Sequence, residues 1–76
     1  MSVIVTSPDQ KIHRSIICKS TDKFSILEKK FYEKYPEYSG YNNYFYANGR
    51  KILKYKTLKD NNIHDSDIIT LIKKNI

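Results

Sequence analysis

One cysteine, two glycines, two prolines and no apolar run longer than a few residues set the first limits on this 76-residue chain. With Cys18 as the only thiol, no intramolecular disulfide can form, and the expected setting is a reducing intracellular compartment. Runs such as Ile16-Ile17-Cys18 are too short to cross a bilayer, and Met1 to Thr6 is too short for a signal peptide before Pro8 breaks it. Two glycines make no phosphate cradle. They also leave little backbone freedom.

At 76 residues the chain is one domain, near the smallest size that folds without covalent staples. Its 39% apolar and 29% charged composition is that of a globular chain. Fourteen Lys and Arg against eight Asp and Glu give a net charge of +6, which steers acidic partners toward it. The cations are scattered, apart from Arg50, Lys51, Lys54, Lys56 and Lys59 with Tyr55 among them. That run is the best argument for a surface that meets RNA, anionic lipid or an acidic protein. Strand alternation would divide it between two faces, so a solvated run is the expectation.

Val3 and Val5 alternate with Ser2, Ile4 and Thr6 in a first strand that turns its odd positions inward. Ser7-Pro8-Asp9-Gln10 reads as a turn, and Ile12 to Lys19 returns as a second strand with Ile12, Ile16 and Cys18 inward. Arg14 falls on that inward side, with its stem expected along the core edge and its head in water. Ser20-Thr21-Asp22 is a helix-start signal. Phe24, Leu27, Phe31 and Tyr35 follow at helical spacing, and Pro36 ends the helix. Tyr44 to Ile52 reads as strand, turn, strand, with Asn48-Gly49 supplying the positive φ angles of a two-residue hairpin. A compact loop through Leu58 and Ile63 leads to the last strand, Ile68 to Ile72. A helix between two such strand pairs buries its stripe only across one face of a mixed sheet, with the first and last strands central and parallel.

The stretch Thr57-Leu58-Lys59-Asp60-Asn61-Asn62-Ile63 with its apolar closing strand, and Phe45-Tyr46-Ala47-Asn48-Gly49-Arg50-Lys51-Ile52 before it, resemble the C-terminal half of the ubiquitin-like (β-grasp) family. The resemblance extends over the whole chain with one extra residue in the first turn and one near Gly40. It implies an α+β fold, a mixed sheet of four to five strands with one helix packed across one face. Val3, Val5, Ile16, Cys18, Phe24, Leu27, Phe31, Phe45, Ile52, Leu58, Ile63, Ile69 and Leu71 take the family's core positions.

Conjugated members of that family end in Gly-Gly, whereas this sequence ends Lys73-Lys74-Asn75-Ile76. The expectation is therefore a monomeric, non-enzymatic interaction domain beginning a longer protein. An adaptor role in the ubiquitin and proteasome pathway, in cytoplasm or nucleus, is implied by the resemblance alone. A modifier whose Gly-Gly tail is missing from this sequence is the related alternative. Carried over position by position, the family's binding face comprises Tyr44, Tyr46, Thr70 and Ile72, rimmed by Arg50 and Lys74, with Ile4 outward on the first strand. Thr70 stands where ubiquitin has a histidine, and the Pro8-Asp9 turn lacks ubiquitin's exposed leucine.

Other chemistry finds little footing. Cys18 on an inward strand face is expected to be structural, because nothing is spaced to activate it. His13, His64 and Cys18 lack zinc-module spacing and a fourth ligand. Asp65 and Asp67 are expected to cap a turn, not to act as a catalytic pair. No cofactor is expected.

Overall fold

The computed structural model of the chain describes residues 1–40 and 42–73. In order along the chain stand β1 (Ser2–Thr6), β2 (His13–Ile17), α1 (Phe24–Lys34), a 3-10 turn at Pro36–Tyr38, β3 (Asn43–Ala47), β4 (Arg50–Lys51), a second 3-10 turn at Lys59–Asn61, and β5 (Ile68–Lys73). The strands form one mixed sheet in the order β2-β1-β5-β3-β4, in which β1 and β5 run parallel at the centre and the remaining pairings are antiparallel. The architecture is β-grasp-like.

Alternation along the strands explains which face the helix covers. Val3, Val5, Phe45, Ile69 and Leu71 are buried, and so are Phe24, Leu27 and Phe31, the apolar stripe of α1. All thirteen core positions assigned from sequence lie in this buried cluster, joined by Ile12 and Ala47. Phe31 is its aromatic centre, with ring centroids 5.0 Å from Tyr35, 5.6 Å from Tyr32 and 6.1 Å from Phe45. The hairpin turn is as the sequence indicated. Asn48 at φ 54° and Gly49 at φ 77° give the type I′ geometry that matches strand twist.

Two local expectations are corrected. The second strand is shorter than Ile12 to Lys19, because Ile12 reaches back to the Ser7 hydroxyl, which accepts from its amide at 3.1 Å. Past Ile17, Cys18 still pairs with Met1, its amide donating to the Met1 carbonyl at 2.9 Å, before the chain turns toward the helix. Arg14 lies opposite Val5 in register and is exposed at this edge, its head in water. The helix start does not use Ser20, Thr21 or Asp22 as a cap. Its N-cap is Lys23, without a side-chain hydrogen bond, and Asp22 Oδ2 instead accepts from the Lys19 amide at 3.0 Å. The first-turn amides of Phe24 and Ser25 donate to the carbonyls of Lys56 and Lys54, at 2.9 and 3.2 Å. A distant backbone segment thus satisfies donors that a local side chain would otherwise take.

Candidate functional site: the open face of the sheet

Because α1 covers one face, the even positions of β1 and β5 and their neighbours in register form the other. Ile4 lies beside Ile68, Thr6 beside Thr70, Tyr46 beside Thr70 and Tyr44 beside Ile72. The structure therefore places Tyr44, Tyr46, Ile4, Thr70 and Ile72 on one continuous surface. Tyr46 is 36% exposed, and Tyr44 is half-buried under the Lys51 ammonium, 4.0 Å from its ring centroid.

Arg50 does not belong to this surface. The two-residue turn fixes it opposite Ala47, whose side chain is buried on the helix side, and puts Lys51 opposite Tyr46. Lys51 is therefore the rim cation, held by the electron-rich face of Tyr44. Lys74 lies outside the described residues.

Two residues absent from the sequence-derived face dominate it. Ile68 is 58% exposed and Ile17, outward at the β2 edge, is 79% exposed. The signal for both was the same alternation: Ile17 follows inward Ile16, and Ile68 precedes inward Ile69. Beside Ile68, a shallow groove of about 640 Å3 runs between Thr6, Pro8, His13 and Thr70.

Elsewhere the polar side chains are engaged in structure. Asp65 Oδ1 accepts from the Ser2 amide at 2.8 Å. Asp67 Oδ2 accepts from the His64 amide at 2.8 Å and from Asn48 Nδ2 at 3.2 Å, and the first of these bonds chiefly holds its carboxyl below the usual carboxylate range. These aspartates close the loop before β5. Burial pushes the Cys18 thiol up, in the direction of a structural cysteine. Among the described residues, no three His, Cys, Asp or Glu side chains converge as metal ligands, and no helix is long and apolar enough to cross a membrane.

A polar network joins the helix to the sheet and the 52–56 loop. Lys54 Nζ donates to Glu28 Oε2 at 2.8 Å, Tyr32 Oη donates to the same oxygen at 2.6 Å, and buried Asn43 Nδ2 donates to Tyr32 Oη and the Tyr38 carbonyl, both at 2.9 Å. Among the described residues, Asn43 Oδ1 has no partner. Burial, with Glu28 accepting the phenolic proton, pushes Tyr32 from its ordinary value of 10 up to about 12. The folded state therefore holds this proton more tightly than the unfolded chain does. The stability it contributes is complete below pH 10 and is lost as pH rises from 10 to about 12. Equilibrium denaturation across that range should show this decline, and Tyr32→Phe should reduce it. An unchanged slope in the variant would assign the alkaline loss to other groups.

No protein-family model matches the chain, and no curated protein compared with it matches.

Proposed function

We propose that the chain is a non-enzymatic interaction module that docks a protein partner on the open face of its sheet. The observation carrying this reading is the joint exposure of Ile17, Ile68 and Tyr46 on the face that also presents Ile4, Thr70 and Ile72. Contiguous apolar side chains of this kind mark contact surfaces, and a tyrosine anchors an interface with little loss of conformational freedom. The resemblance read from the sequence alone suggests a component of the ubiquitin or proteasome pathway as partner, in the cytoplasm or nucleus.

A chemical-shift titration with proteasomal ubiquitin-receptor subunits tests the reading. Shifts should concentrate at Tyr46, Ile68, Thr70 and Ile72. Tyr46→Ala and Ile68→Ser should each weaken binding by about 30-fold, the loss expected of a central anchor, while leaving the thermal midpoint near that of the parent. Full affinity in both variants would place the contact elsewhere on the domain.

A further inference from the structure

Apart from Lys51, which rims the docking face, the basic run lies off that face, where the chain beyond β4 leaves strand alternation. β4 has only two residues, after which Ile52 is buried and the chain curls away from the sheet. Two clefts flank the ridge formed by Lys51, Ile52 and Leu53. One, of about 190 Å3, includes Arg50 and Lys56; the other, of about 400 Å3, includes Lys54 and Tyr55. Leu53 is 39% exposed and Tyr55 is 69% exposed. An aliphatic and an aromatic side chain thus share the clefts of one lateral edge with four cations, of which Lys54 is paired with Glu28 and Lys51 lies over Tyr44. Of the nearby carboxylates, Glu28 is engaged by Lys54 and Tyr32, and Asp60 lines the smaller cleft.

We propose that this edge, with Leu53 and Tyr55 at its tip, docks on the surface of an anionic lipid bilayer. The two side chains supply an interfacial anchor, since leucine partitions into the acyl boundary and tyrosine sits at headgroup level with its hydroxyl in water. The surrounding cations supply the second attraction that a stable peripheral contact needs. Three of the four are lysines, compact point charges suited to a diffuse negative surface more than to bidentate recognition of one phosphate. A single-stranded nucleic acid would need open aromatic platforms. At this edge Tyr55 is one such ring, but the Tyr44 face is occupied by Lys51 and Leu53 offers no ring, so successive bases have no second platform. The tip is also preorganised: Asn61 Oδ1 accepts from the Leu53 amide at 2.9 Å, and Asn61 Nδ2 donates to the Leu53 carbonyl at 3.0 Å.

Co-sedimentation with vesicles tests this, comparing phosphatidylcholine alone with phosphatidylcholine containing about one quarter phosphatidylserine at low salt. The chain should sediment only with the anionic vesicles. The double variant Lys51→Gln, Lys56→Gln should lower partitioning about 25-fold, near fivefold for each charge, and Tyr55→Ser should lower it without any change of charge. Lys11→Gln with Arg14→Gln removes the same charge from the hairpin that carries the opposite edge strand, β2, and should change little. Ile68→Ser, on the docking face, should bind vesicles normally, so this inference and the proposed function fail separately. Absence of sedimentation with anionic vesicles would overturn the proposal. So would an equal loss in the β2-edge variant, which would reduce the effect to net charge, or single-stranded RNA binding the chain more tightly than the vesicles do.

Discussion

Replacing Phe31 with alanine is expected to lower stability by about 3–5 kcal/mol, the usual cost of emptying a large buried aromatic site. A domain of this length has about 4–11 kcal/mol in all, on the usual scale per residue. The variant should therefore be partly unfolded at room temperature or close to it. Phe31 is fully buried and lies among the rings of Tyr32, Tyr35, Tyr38 and Phe45. Three of those neighbours come from the last turn of α1 and the turn after it, and the fourth from the central part of the sheet. The ring thus ties the helix end to the sheet, and its neighbours cannot collapse into the space without moving the helix. Phe31→Leu keeps much of the volume and should cost less than half as much. Urea denaturation of both variants separates the cavity from the loss of ring contacts. A shift below about 1 kcal/mol for the alanine variant would mean that the helix end is held by something other than this cluster.

Asn61→Ala should remove about 2–3 kcal/mol and loosen the loop that follows β4. The Asn61 amide makes three bonds, to Leu53 N at 2.9 Å, Leu53 O at 3.0 Å and Thr57 O at 2.9 Å, and alanine leaves the three backbone groups to find water or strain. The effect reaches further than the loop, because Lys54 and Lys56 offer their carbonyls to the first amides of α1. Hydrogen exchange should accelerate at Leu53 and also at Phe24 and Ser25. Asn61→Asp keeps the acceptor for Leu53 N but turns an anionic oxygen toward the Leu53 and Thr57 carbonyls, and should be no more stable than the alanine variant. Unchanged protection at Phe24 and Ser25 would show that the helix start is held independently of the loop.

Asn43 illustrates why a linear reading stops short. From its position it belongs to a polar link before a strand, yet it is nearly fully buried and bonded to Tyr32 and Tyr38. Its partners come from the helix and from the turn after Pro36, and no local pattern places them together. Arg50 and Lys51 show the same limit in a milder form. Arg50 read as a rim cation and Lys51 only as part of the basic run, and the register set by the Asn48-Gly49 turn sends Arg50 to the helix side and Lys51 to the open face.

The sequence by itself determined the frame. Period-two alternation in Val3 and Val5 or Ile69 and Leu71, helical spacing in Phe24, Leu27 and Phe31, and a turn that only positive φ angles can make are local facts, because each follows from how neighbouring residues project from the backbone. Tertiary structure decided what lies between the elements. The Lys54 and Lys56 carbonyls cap a helix some thirty residues earlier in the chain, the short β4 leaves Leu53 exposed at the sheet edge, and β2 at the other edge leaves Ile17 in water. Those outcomes depend on which segments the burial of one small core brings side by side, and that arrangement is a property of the whole chain, not of any window along it.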